Sequence, residues 1–359
     1  MDDYTYQMAE KDSIPQQVAL FNKAFGSSET ESMWHQKHYM NPLSKASNVF
    51  CAIEGERIIG LSTYVPLQYI YQNTIYSAIQ PCDVCVDPAY QGRGIFTGIL
   101  KYAEAYYADQ GWDVMITFPN NKSYGAFIKL GWTVTCRIKK LYLPIDAKTV
   151  LQERFSRRVP SLANAAMEIL WLKIRWKAAG LKNIRVQKRD RMPEGWMEGV
   201  RNPDALSFYA TPEMQDWKLA DGYVFYEARE GEMPIASFLV KDYRRSDRFV
   251  TANLAAVHCD TEDEEKLTAA YAKLMLDLKR DHTLLCIWDT CYEKGGRIPR
   301  ELGFLKSNVS KEGSPFLTKV LTEDPERRAV LSNSSLWRPQ MIETDTFSDF
   351  RAYESNQRS

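Results

Sequence analysis

The chain has 359 residues, and its 46 Lys and Arg balance 46 Asp and Glu, so the formal net charge is zero. That balance offers no basic surface for nucleic acid, and the length predicts two domains, each with its own core. Seven cysteines, an odd number scattered through apolar strands, predict reduced thiols in a cytosolic protein. The acidic start Met1-Asp2-Asp3-Tyr4 reads as no signal peptide, and no uncharged apolar run nears the roughly 18 residues that span a bilayer. A cytoplasmic protein with no membrane partner is expected.

In chain order, residues 4–8 read as a strand and 13–25 as a helix with Pro15 in its first turn. Residues 31–39 form a second short helix, ended by Asn41-Pro42. Two strands, 48–54 and 57–64, flank the hairpin signal Glu54-Gly55-Glu56, and 77–86 is a third apolar strand. Ile95, Ile99, Tyr102, Ala103 and Tyr106 give 95–110 a helical period, and Gly111 ends it. A strand at 113–118, a helix at 122–130 and a strand at 133–143 follow.

The most specific stretch joins the third strand to the long helix: Val86-Asp87-Pro88-Ala89-Tyr90-Gln91-Gly92-Arg93-Gly94-Ile95-Phe96-Thr97. A glycine turn there aims several backbone N–H groups at one spot, at the positive end of a helix, and so makes a phosphate site. No Gly-Lys-Ser/Thr follows, as a Walker loop requires, and a dinucleotide fingerprint would need a third glycine. The pattern Val-x-Pro-x-x-Gln-Gly-x-Gly resembles the acetyl-CoA pyrophosphate loop of the GNAT (Gcn5-related) N-acetyltransferase superfamily. Further on, Asn120 at the end of a strand, followed by a short helix closing on Lys129-Leu130-Gly131-Trp132, is similar to that family's second signature. The resemblance covers about residues 3–145.

It implies that backbone amides of Val84, Cys85 and Val86 hold the acetyl carbonyl and pantetheine. Main-chain N–H groups of Gln91, Gly92, Arg93, Gly94, Ile95, Phe96 and Thr97 would hold the pyrophosphate. Asn120, with Ser123 and Phe127, would line the pantetheine arm, although Asn120 serves equally as a helix cap. The family's usual thiolate-protonating Tyr aligns with Phe127, which has no proton to give. Tyr124, one turn earlier, is the substitute candidate, as proton donor, as part of the acceptor site or as a core aromatic. Asp83, a carboxylate within apolar Pro81-Cys82-Asp83-Val84-Cys85-Val86, is either the base or a charge anchored by backbone N–H groups; alternation places it on one face with Cys85. Asp87 reads as a turn residue. Cys82-x-x-Cys85 has zinc or redox spacing, but an extended strand points the two thiols apart, so no metal is expected. His35 and His38 sit three apart on the second helix; Trp34, His35 and His38 are candidates for the acceptor wall.

Residues 146–181 read as helical, with Trp171, Leu172, Ile174 and Trp176 among Lys173, Arg175 and Lys177. This is either a surface-seeking amphipathic helix or, the preferred reading, a connecting helix packed between domains. The second half then repeats the first. Strands at 223–229 and 235–240 flank Glu230-Gly231-Glu232, followed by a strand at 251–257, a helix at 262–280, a strand at 284–289 and a helix at 293–302. Gly55 and Gly231 are 176 residues apart, Gly131 and Gly303 are 172 apart, a near-constant offset that predicts a duplicated fold. Where the first copy has its glycine loop, the second reads His258-Cys259-Asp260-Thr261-Glu262-Asp263, acidic residues that repel a pyrophosphate. One working coenzyme site is expected. Residues 337–347 read as a last strand whose Glu343 and Asp345 recognise a cationic amine.

The expected fold is α/β (α+β): tandem GNAT-like folds, each a mixed, mostly antiparallel sheet flanked by helices, joined by a helical linker. The expected division is 1–145 catalytic, 146–185 linker, 186–348 degenerate second domain and 349–359 tail. The expected function is acetyl transfer from acetyl-CoA to a primary amine of a small polar acceptor, an aminosugar or sugar nucleotide, by direct attack in a ternary complex. Alternatives are a non-catalytic coenzyme A-binding module and an acetyltransferase acting on a protein amine. A bacterial source and a monomer or homodimer are expected.

Overall fold

A computed structural model describes residues 4–44, 47–155, 162–189, 192–193, 196, 204–219, 222–290, 298–306 and 312–344. The first part runs β1 (Tyr4–Met8), α1 (Ile14–Phe25), α2 (Glu31–Tyr39), β2 (Val49–Glu54), β3 (Arg57–Tyr71) and β4 (Thr74–Val86). Next come α3 (Ile95–Asp109), β5 (Val114–Thr117), α4 (Tyr124–Lys129) and β6 (Thr133–Ile138). Then follow β7 (Lys140–Pro144), α5 (Ala147–Phe155), α6 (Leu162–Gly180), β8 (Ile184–Arg189), β9 (Ser207–Tyr209) and α7 (Pro212–Leu219). The rest comprises β10 (Tyr223–Glu230), β11 (Met233–Ser246), β12 (Phe249–Cys259), α8 (Glu264–Leu278), β13 (Leu284–Trp288), β14 (Leu305–Lys306) and β15 (Ser314–Val320), with helices Ile298–Glu301 and Pro325–Ser332.

Two mixed sheets result. The first is ordered β1-β2-β3-β4-β5-β15-β6, with β9 on β3, and the second β14-β7-β13-β12-β11-β10-β8. Each has one parallel pair, β4 with β5 and β12 with β13. Each opens on a hairpin turned by a left-handed glycine, Gly55 and Gly231, both at φ 59°. The duplication expected from the glycine offsets is therefore present in the backbone.

The sheets exchange strands across the expected boundary near residue 145. The run 133–143 breaks at Lys139, where Lys139 and Asp289 exchange two hydrogen bonds (2.8 and 2.9 Å). Beyond the break, β7 pairs β13 in the second sheet. In return β15 inserts between β5 and β6 of the first. The expected strand at 337–347 is instead a single bridge, Leu206 to Trp337, followed by a 3-10 turn at Met341–Glu343. The helix expected at 293–302 is described only as Ile298–Glu301, since 291–297 lie outside the described residues.

β3 and β4 are longer than their apolar runs. They meet at a two-residue turn, Gln72 (φ 45°) and Asn73 (φ 65°), both left-handed, which matches hairpin twist without glycine. Pro66 falls between the part of β3 that pairs β2 and the part that pairs β9, where no partner strand needs its missing N–H.

The first sheet is covered on both faces. Phe21 and Trp34 of α1 and α2 pack with Val49, Cys51, Leu61 and Cys85. Ile99 and Ala103 of α3, with Phe127 and Trp132, pack with Phe50, Ile59 and Ile79. A third, larger cluster runs continuously between the sheets and includes Tyr69, Trp171, Phe238, Phe316 and Trp337. Among the described residues no helix is long and apolar enough to cross a membrane.

Candidate active site

The parallel pair β4–β5 holds at only two positions, Ala78 with Val114 and Ile79 with Met115. Beyond them the strands diverge: β5 keeps β15 along its other edge from Val114 to Thr117, while residues 80–86 of β4 have no β5 partner. A bulge assists the divergence. Leu61 pairs Cys85 while Thr63 pairs Cys82, so β4 carries one extra residue, and Asp83 there adopts φ 46°, a left-handed conformation that Asp tolerates better than most residues.

The splay opens a cleft of about 740 Å³. Val84, Cys85 and Val86 form one wall; Thr117, Phe118, Asn120, Ser123 and Phe127 form the other; Gln91, Gly92, Gly94, Ile95 and Phe96 close one end. Gly92 and Gly94 both lie at φ 80°, and a Cβ built on either would meet nothing within 4 Å. Gly94 stands at the N-cap of α3 and brings no side-chain cap, so the first-turn N–H groups of that helix have no side-chain acceptor from the cap. The turn is held from outside instead. Asp87 accepts from Ala89 N (3.0 Å) and is ion-paired with Lys23 (2.9 Å) and Arg57 (2.5 Å). Burial works against its charge, but the bond from Lys23, the Ala89 N–H and the two cations hold its carboxyl below the ordinary value. Asp87 is thus the turn residue its position before Pro88 implies.

The corresponding corner of the second sheet is built differently. β12 and β13 stay paired from Thr251–Leu284 to Leu254–Ile287. Asp263 caps α8, accepting from Glu265 N (3.0 Å) and Lys266 N (3.1 Å). Its own carboxylate consumes the donors an anion would need.

Several expected site residues are placed elsewhere. Arg93 and Thr97 are not among the cleft-lining residues; the Arg93 guanidinium lies 4.9 Å over the Tyr90 ring. Asn120 lines the cleft but also caps: its Oδ1 accepts from Lys122 N (2.9 Å) and Ser123 N (3.0 Å). Tyr124 does not line the cleft and packs half-buried in the α3 core cluster. Phe127 is buried, edge-on to Trp132 at 4.9 Å and to Phe96 at 6.1 Å.

Asp83 does line the cleft, yet its carboxylate is engaged from behind. Oδ2 lies 2.6 Å from Lys37 Nζ and 3.1 Å from His38 Nε2, with both partners' side chains buried. Asp83 is an anchored charge, with the Lys37 and His38 side chains of α2 among its anchors. The donor atoms of His38, Cys82 and Asp83 lie within 4.8 Å of one another, but the Lys37 ammonium already supplies positive charge to that carboxylate. Cys82 and Cys85 join different core clusters, and burial, then the Asp83 charge, pushes the Cys85 thiol well up.

Trp34 is fully buried, its Nε1 donating to Gln17 Oε1 (2.8 Å). It forms the core beneath the cleft and not an acceptor wall, and His35 stacks on Tyr39. Glu343 is also buried; it accepts from Tyr69 Oη (2.5 Å) and Gln340 N (2.6 Å), outside the cleft lining. Burial pushes its carboxyl up to about 8 despite those bonds and the nearby charge of Lys218. Asp345 lies outside the described residues. Sequence reasoning missed Lys37, whose spacing from Trp34 on α2 marks the buried face, and Phe118, which reaches Phe316 of β15 at 5.0 Å, a contact no local pattern announces.

Residues 5–135 match the family model described as acetyltransferase (GNAT) domain. A GCN5-related N-acetyltransferase from Anabaena variabilis superposes with a TM-score of 0.60 at 8% identity, covering 89% of this chain and 73% of that one. A probable N-acyltransferase from Enterococcus faecalis gives 0.61 at 12% identity, covering 89% and 72%. Saccharomyces cerevisiae N-myristoyltransferase with bound myristoyl-CoA gives 0.57 at 10% identity, covering 89% and 79%. No curated protein sequence matches. Residues 5–135 thus match a GNAT acetyltransferase domain, set within a two-sheet fold that the chain shares with these structures.

Proposed function

We propose that the chain is an acyl-CoA-dependent N-acyltransferase that moves acetyl from acetyl-CoA to a primary amine of a small polar acceptor, an aminosugar or sugar nucleotide, by direct attack in a ternary complex. The observation that carries this reading is the uncapped glycine turn at the foot of the β4–β5 splay. Gly92 and Gly94 leave room for phosphate oxygens against bare main chain, and the α3 N-terminus favours their charge. The unpaired edge of Val84 to Val86 offers N–H groups to the thioester carbonyl and pantetheine amides. The cleft of about 740 Å³ has room for a coenzyme arm beside the Val84 to Val86 edge.

With Phe127 lacking a hydroxyl and Tyr124 packed in the core, the departing thiolate takes its proton from water. Asp83, ion-paired with Lys37 at 2.6 Å, has its charge offset at the cleft wall and holds the bulge in place there. Thiol release from acetyl-CoA against aminosugars, amino sugar nucleotides and peptide amines tests the reading. Turnover with the sugars supports it; turnover with peptides alone reassigns the acceptor. Coenzyme binding without turnover across the panel makes the chain a binding module.

A further inference from the structure

Helix α6 carries apolar residues on two opposite faces. Trp171, Ile174 and Ala178 are buried, with α6 packed on α8. On the far side Ile169 is 71% exposed, Leu172 58% and Trp176 72%. At about 100° per residue these three fall within a strip roughly 60° wide, which exposed Ala165 extends. The connecting-helix reading therefore accounts for one face only.

Cations border the strip on both sides. Lys173 and Lys177 follow one edge and Arg175 the other; the Lys177 ammonium lies 5.5 Å from the Trp176 ring centre. Of the acids nearby, Glu168 is ion-paired with Lys279 at 3.1 Å, and the backbone carbonyl of exposed Glu301 accepts from Lys173 Nζ at 2.8 Å. In a chain of zero net charge, this positive border is a local feature. Three large apolar side chains inside a basic rim, with Trp among them, match the apolar and anionic layers of a lipid surface.

We propose that α6 docks the protein on an anionic lipid bilayer, with Ile169, Leu172 and Trp176 entering the headgroup–acyl boundary and Lys173, Arg175 and Lys177 meeting the phosphates. This is peripheral binding and needs no spanning segment. A second copy of the chain fits the strip less well. The three side chains offer roughly 400 Å² where a standard interface takes about 800 Å² per partner, and two copies face to face would oppose like charges.

Vesicle flotation of the full chain tests the proposal, using phosphatidylcholine alone and with about 30 mol% phosphatidylglycerol. Binding to the anionic vesicles is expected to be at least about tenfold tighter and to weaken as salt rises. The double variants Leu172→Ser with Trp176→Ser, and Arg175→Glu with Lys177→Glu, should each lose about tenfold or more while titrating coenzyme A like the parent. No flotation, or flotation unchanged in both variants, overturns the proposal. A dimer by sedimentation velocity that Leu172→Ser with Trp176→Ser dissociates also overturns it and assigns the strip to a second copy.

Discussion

Replacing Gly94 by Asp and, separately, by Asn isolates the charge logic of the glycine turn. At φ 80° with nothing within 4 Å of the new Cβ, neither side chain collides with the protein. Both bear the same left-handed backbone penalty, of order 1 kcal/mol and smaller than for most residues. They differ by one negative charge beside the proposed pyrophosphate position. At roughly 6 Å and an effective dielectric near 20, that charge costs about 3 kcal/mol against a singly charged phosphate, or ~100-fold in affinity. Calorimetric titration with coenzyme A reads the ratio directly, with thermal unfolding as the check on the fold. Gly94→Asn should weaken binding severalfold and Gly94→Asp by a further ~100-fold, a gap that narrows in high salt. Equal affinities for the two variants would refute an anion at this turn.

Three other outcomes follow from the same geometry. Asp83→Asn keeps a residue that tolerates the bulge conformation but leaves the buried Lys37 ammonium without its counter-charge; urea unfolding should show a loss of about 3 kcal/mol, partly restored by adding Lys37→Met. Tyr124→Phe should leave kcat within about twofold, because the side chain packs away from the cleft; a loss of about tenfold or more in a steady-state assay would return its hydroxyl to the chemistry. Glu343 is held neutral by burial, its carboxyl raised from 4.5 to about 8, so between those values the folded state binds more protons than the unfolded one and stability falls as pH rises. The stability of the parent minus that of Glu343→Gln should therefore drop by roughly 3 kcal/mol from about pH 5 to 7.5, and a flat difference would place an ionised Glu343 in the core.

The parts of the fold legible in sequence were those set by neighbours along the chain. β1, α1, α2, α3 and the Gly55 and Gly231 hairpins follow from periodicity and turn chemistry. The strand exchange was not legible. Nothing in 133–143 announces that the sheet changes at Lys139, because the break involves Asp289, far along the chain, and the strand that separates β5 from β6, β15, is just as distant in sequence. The same division holds at the site. Gly92 and Gly94 declare themselves because the turn needs them. The burial of Trp34 and Glu343 and the engagement of Asp83 by α2 belong to packing that a linear reading does not contain. The degenerate second copy was legible for a local reason: Asp263 sits at its helix start and caps it.

A crystal structure of the protein with coenzyme A shows whether the β4–β5 cleft is the coenzyme site. Pyrophosphate oxygens are expected within hydrogen-bonding distance of main-chain N–H groups between Gln91 and Thr97, and the thiol between Val84–Val86 and Thr117–Asn120. Coenzyme density at the β12–α8 corner, or a β4–β5 cleft left empty at saturating coenzyme, would contradict that placement.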